Sequence, residues 1–155
     1  MLPKNLNILL ADDDTDDRSF FTSALKEIPI STTLTSVLDG EQLMAYLEEN
    51  RENLPQVIFL DLSMPRKTGF ECLVEIKAIE EFKHIPVVMF STSFPSSIVY
   101  EESMIKTLTA MGADSYIRKL GDFDSLKNAI HQSLIKISEK SLVNQTNDNK
   151  MQKTE

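Results

Sequence analysis

Five short apolar runs, each followed by a longer segment with helical spacing, constrain this chain more than any other feature. The runs are NILLA (7–11), TLTSVL (33–38), QVIFLDL (56–62), PVVMFST (86–92) and SYIRKL (115–120). The central ones are apolar almost without interruption, which suits strands covered on both faces of a parallel sheet by helices rather than water. Between them, residues 15–28 bring Phe20, Phe21, Ala24, Leu25 and Ile28 close to i, i+3, i+4 intervals. Residues 40–49 do the same with Leu43, Met44 and Leu47, and residues 69–82 with Phe70, Leu73, Ile76 and Ile79. Two further helices are predicted over about 97–111 and 123–138, the last carrying Leu126, Ala129, Ile130, Leu134 and Ile137.

Residues that start and stop elements fall where this division needs them. Asp39 is placed to cap the second helix ahead of Gly40, and Gly112 follows the fourth where a left-handed residue is wanted. Pro29, Pro55 and Pro86 lie between elements, where a missing N–H costs little. Five βα repeats predict an α/β fold, a doubly wound five-stranded parallel sheet with right-handed crossovers and helices on both faces. A chain of 155 residues suits one domain, which is predicted over residues 1–138. The remaining EKSLVNQTNDNKMQKTE (139–155) is too polar to bury a core and reads as a helical extension or a disordered tail.

Composition removes several function classes. Cys72 is the single cysteine, so no disulfide can form within the chain, and its setting in FECLVEIKAI gives it a place in the core rather than a nucleophile's role. No apolar run reaches bilayer-spanning length and the N-terminus does not read as a secretory leader, which predicts a cytoplasmic protein without membrane contact. The net charge of −8 disfavours direct nucleic-acid binding and favours a cation or a basic protein surface. His84 and His131 lack metal-ligand spacing and read as surface or packing residues.

In a doubly wound sheet the ligand site lies beyond the carboxyl ends of the strands, near the topological switch point. Asp12 and Asp13 end the first run, Asp61 the third, Ser91 and Thr92 the fourth, and Lys119 the fifth. Crowded carboxylates raise one another's pKa or recruit a cation. Magnesium is held by one or two carboxylates and keeps other positions for water and phosphate oxygens. Asp12, Asp13 and Asp61 therefore suit Mg²⁺ beside a phosphoryl group, with the Lys119 ammonium offsetting further negative charge, and an aspartate can itself accept phosphate. A solvated acidic loop with a paired lysine is the plainer alternative.

The set ADDD after the first strand, FLDLSMPRKTGFE around the third, PVVMFSTS at the fourth and GADSYIRK at the fifth resembles the receiver domain of two-component response regulators, over about residues 6–138. The resemblance implies a flavodoxin-like sheet of order 2-1-3-4-5 and a receiver-only protein acting through protein contacts or phosphoryl relay. It implies that Asp61 accepts phosphate from a sensor histidine kinase or a histidine phosphotransfer protein. Asp13 then binds Mg²⁺ directly, Asp12 largely through water, and the Ser63 backbone carbonyl completes the protein ligands. Ser91 becomes the switch hydroxyl, Lys119 the phosphoryl's cation, and Tyr116 the aromatic that turns inward on activation. Output to a downstream protein target would run through the face made by helix 4, strand 5 and helix 5, and a homodimer through that face is compatible with the resemblance.

Two departures accompany it. The lysine is usually followed by proline in a cis bond; here Leu120 follows, and because a cis bond before a non-proline residue costs about 2.5–4 kcal/mol, a trans bond is predicted. The interval from Ser91 to Tyr116 is longer than in compact receivers by about one and a half helical turns, within SFPSSIVYEESM. Rival readings fit less well. An EF-hand loop using Asp12, Asp14 and Asp16 needs glycine where Asp17 stands and glutamate where Ser23 stands. A haloacid-dehalogenase-like phosphatase wants aspartate at Ser63, and a flavodoxin-like cofactor site would not crowd aspartates beside phosphate. A non-switching receiver-like scaffold is the remaining alternative. Of the opening aspartates, Asp14 or Thr15 is expected to cap the first helix, with Asp16 and Asp17 in its first turn, where the helix dipole favours negative charge.

Overall fold

A computed structural model describes residues 5–92, 98–119 and 122–151. Strands and helices alternate as β1 (Leu6–Ala11), α1 (Thr15–Glu27), β2 (Thr32–Val37), α2 (Gly40–Glu49), β3 (Val57–Leu60), α3 (Gly69–Ala78), β4 (Val87–Ser91), α4 (Ile98–Ala110), β5 (Ser115–Arg118) and α5 (Phe123–Met151). All strand pairs are parallel and the order is β2-β1-β3-β4-β5, as expected.

Strand alternation divides the apolar residues between two cores. Leu9, Ala11, Ile58, Leu60, Val87 and Met89 face α2, α3 and α4, where Leu43, Leu47, Leu73, Ile76 and Leu108 meet them. Ile8, Leu10, Val57, Phe59, Val88 and Phe90 face α1 and α5, packing on Phe21, Leu25, Leu126, Ile130 and Leu134. Every residue of β3 and β4 is buried, so the sheet centre has no wet face, in keeping with the unbroken apolar runs. Phe21 anchors α1 through edge contacts with Phe59 at 4.9 Å and Phe90 at 5.6 Å between ring centroids. Cys72 is buried in the first core, and burial pushes its thiol up to about 12, so it is an apolar filler there.

The helix starts follow the capping residues. Asp14, Asp39 and Thr68 precede α1, α2 and α3, and each side chain accepts an N–H three residues on, satisfying one of the free donors at a helix start. Gly112 closes α4 with φ +105°, the left-handed conformation its position called for. One boundary differs from expectation. The apolar pattern suggests that α3 continues to residue 82, but Ile79 turns to ψ 124° and the chain doubles back, Phe82 and Lys83 both donating to the Ile79 carbonyl. That turn buries Phe82 completely, which a continuing helix would not do from this side. At the other end, α5 runs past residue 138 to Met151 without interruption. Among the described residues no helix is long and apolar enough to cross a membrane.

Candidate functional site

Sheet pairing itself brings the strand-end residues together. The Asp61 N–H donates to the Ala11 carbonyl at 3.0 Å, which holds the residue after β3 beside Asp12. On the other side the Lys119 N–H donates to the Ser91 carbonyl at 2.7 Å, extending the β4–β5 pairing by one step. Asp12 and Asp61 are buried, whereas Asp13 is exposed. Carboxylate oxygens of Asp12, Asp13 and Asp61 all lie within 4.8 Å of one another, an all-oxygen set that suits a hard divalent cation.

Lys119 enters this group from β5. Its Nζ lies 2.6 Å from Asp12 Oδ2, 3.0 Å from Asp17 Oδ2 and 3.4 Å from Asp61 Oδ2. The Phe90 ring lies under the same ammonium at 4.9 Å, and the lysine side chain is only 7% exposed. Burial alone would lower the lysine's pKa, but the bond to Asp12 and the charges of Asp61, Asp12 and Asp17 outweigh it and raise it. Burial pushes the Asp61 carboxyl up to about 6, against the pull of Lys119 and with added repulsion from Asp12. Burial likewise raises Asp12, although Lys119 and the Asp14 N–H both favour its ionised form. One cation among four carboxylates, of which Asp12 and Asp61 are buried, leaves the site short of positive charge, a state that a bound divalent ion would relieve.

The other predicted residues surround this centre at different depths. Ser63 donates its N–H to Asp61 Oδ1 at 3.3 Å, so the turn after β3 folds back on the carboxylate. Ser91 is buried, and its hydroxyl donates to the Thr92 carbonyl at 3.3 Å. The Tyr116 ring packs against the core under α3 and α4, and its buried hydroxyl finds no hydrogen-bond partner among the described residues. Asp14 caps α1 through the Asp17 N–H at 2.9 Å and is not part of the three-carboxylate cluster. His84 is exposed, and among the described residues neither histidine joins a metal-ligand cluster. The Lys119–Leu120 bond and the first part of the longer segment before α4 lie outside the described residues.

Asp17 is the site contact that sequence reasoning misses. Position N3 of a helix usually sends an acidic side chain back to the N-cap N–H. Here the Asp14 N–H is already taken by Asp12 Oδ1 at 2.9 Å, so the Asp17 carboxylate is available to Lys119. The motif Asp14-x-x-Asp17 is the available signal, but spacing alone ascribes its second acid to the helix dipole. A second unforeseen contact supports the loop after Asp61. Arg66, at φ 67°, donates to Asp39 Oδ2 at 2.6 Å, joining the β3–α3 and β2–α2 loops.

The family model of the response regulator receiver domain matches residues 8–131. The chain belongs to that family. Response regulator Rcp1 of Synechocystis sp. is 39% identical over 90 residues, 56% of this chain and 61% of Rcp1, so the match spans less than two-thirds of that relative. The structure superposes on the Mn²⁺-bound form of Rcp1 with a TM-score of 0.69 at 30% identity, covering 84% of this chain and 91% of the other. It superposes on the phosphorylated cyanobacterial phytochrome response regulator RcpA with a TM-score of 0.70 at 31% identity, covering 83% and 90%. Receiver domains are two-component signalling modules that take phosphoryl groups from histidine kinases and bind a divalent metal in an acidic pocket. Membership and geometry therefore agree at the level of the acidic cluster.

Proposed function

We propose that this receiver domain is a Mg²⁺-dependent phosphoacceptor switch whose nucleophile is Asp61. The observation that carries the reading is the buried Asp61 carboxylate held between Lys119 and the Asp12–Asp13 pair. An Asp61 oxygen attacks the phosphorus of a phosphohistidine, the P–N bond breaks, and the imidazole nitrogen takes the bonding pair and then a proton. Later attack by water on the same phosphorus releases inorganic phosphate and restores the carboxylate. Both are problems of positioning and charge stabilisation.

Asp13, Asp61 and the Ser63 carbonyl would hold Mg²⁺, with Asp12 acting largely through water, and the ion would supply charge neutralisation for phosphoryl oxygens. Lys119 pairs with the phosphoryl group from the β5 side, and Ser91 donates its hydroxyl to it after leaving the Thr92 carbonyl. Movement of Ser91 lets the Tyr116 ring, which already packs against the core with its hydroxyl buried, shift further behind β4, which changes the α4–β5–α5 face presented to a downstream protein. The donor is a sensor histidine kinase or a histidine phosphotransfer protein, met in the cytoplasm; the net charge of −8 favours protein rather than nucleic-acid output. Residues 1–138 form the switching unit.

Incubation with Mg²⁺ and acetyl phosphate, read by intact mass, tests this. Wild type gains one phosphoryl group and Asp61→Asn gains none; chelation of Mg²⁺ abolishes the gain. An unmodified wild type, also silent to beryllofluoride by NMR, would make the domain a non-switching scaffold.

A further inference from the structure

We propose that Asp17 is a positioning residue that holds the Lys119 ammonium toward α1 and competes for it with the phosphoryl group on Asp61. The inference rests on the phosphoacceptor reading of Asp61. Lys119 has three N–H donors and three carboxylates around it, and the contact to Asp61 at 3.4 Å is the longest of them. The ammonium thus sits nearer to Asp12 and Asp17 than to the proposed nucleophile.

Those two partners differ in what happens when the site is loaded. Asp12 shares the three-carboxylate cluster, so a divalent ion there draws on its charge and loosens its hold on Lys119. Asp17 lies outside the cluster, on the first turn of α1, and its carboxylate keeps its full charge for the lysine. With metal bound, Asp17 is therefore the remaining competitor when phosphoryl oxygens arrive. Its backbone is fixed by the Asp14 cap and its side chain is 34% exposed, so water can replace the ammonium as its partner. The exchange is for that reason a modest bias on the switch and not a block, in the range measured for partly exposed ion pairs.

Beryllofluoride titrated at saturating Mg²⁺ and read by NMR provides the test, since it needs no donor protein. Asp17→Asn and Asp17→Ala are expected to lower the half-saturation concentration roughly two- to fivefold. Asp17→Glu, which can still reach Lys119, should return it to the wild-type value. Asp16→Asn removes the same charge from the same helix turn at an exposed side chain and should leave the value unchanged, which separates the Lys119 contact from the general field. Unshifted or weaker binding in the Asp17 variants, or an equal shift in Asp16→Asn, overturns the inference while leaving the phosphoacceptor reading intact. A wild type without response removes both. Loss of helix-start stability in Asp17→Ala would lower the thermal midpoint but would not tighten binding.

Discussion

At the scale of single residues the centre is arranged against its own resting stability. The Asp61 carboxyl, ordinarily at 3.8, is pushed up to about 6 in the folded chain, mainly by burial, and so holds its proton there more tightly than in the unfolded chain. Between those two values the folded state binds more protons, so stability falls as pH rises, and the whole cost is present above pH 6. Asp61→Asn removes that cost. In metal-free protein the variant should be more stable than wild type at about pH 7.5, by on the order of 1–3 kcal/mol, with the gap closing as pH falls toward about 4. Urea denaturation across this pH range measures this; a variant less stable on the alkaline side would mean that the Lys119 attraction exceeds the burial cost. The strand-end residues Asp12, Asp61 and Lys119 were legible because a parallel sheet brings the ends of its strands to one edge. Asp17 was not, because its role depends on which acceptor already occupies the Asp14 N–H, a detail of hydrogen-bond geometry that no spacing rule contains.

At the scale of elements, the loop after β3 is where fold and site meet. Gly69 opens α3 with its N–H donated to the Leu62 carbonyl at 3.0 Å, and a Cβ placed there would come within 2.1 Å of the Asp61 carbonyl oxygen. Gly40 meets the other end of the loop: a Cβ on it would approach the Lys67 carbonyl oxygen to 2.2 Å. Gly69→Ala must therefore displace the Asp61–Leu62 peptide. It should cost about 1–3 kcal/mol of stability and lower acetyl phosphate labelling, whereas Val74→Ala, at a side chain 55% exposed on the same helix, should change neither. Labelling at the wild-type rate in Gly69→Ala would show that Asp61 tolerates movement of its carbonyl. Periodicity and caps made nearly every element readable in advance, since α1 and α2 start at the acids that bond their first turns. The contacts between loops were not readable. Arg66 and Asp39 are far apart in sequence, and only the packed loops bring them together.

At the scale of the whole molecule, strand order explains why one edge carries the chemistry. Chain connections leave β1 for β2 on one side and return to β3 on the other, so the topological switch point falls at the carboxyl ends of β1 and β3, where Asp12 and Asp61 meet. Five βα repeats predict this sheet because each short buried strand must find a helix for either face, and the alternating cores on α2, α3 and α4 and on α1 and α5 are the outcome. Sequence left the end of α5 open between helix and disorder, because helical spacing of apolar residues stops where packing against the sheet stops. Ile137 and Ser138 are the last buried residues of α5 among those described, and Glu139, Lys140, Val143, Asn147 and Lys150 beyond them are exposed. Among the described side chains beyond residue 138 none is buried, and Lys140 forms a surface ion pair with Asp114 at 3.6 Å. Such a pair is worth about 0–1 kcal/mol, so a chain ending at residue 138 should lose no more than about 2–4 °C of thermal midpoint and should keep its response to acetyl phosphate. Thermal melts and intact mass of the truncated and full chains decide it: a loss of tens of degrees, or of labelling, would place residues 139–151 inside the switching unit and move its boundary to the end of α5.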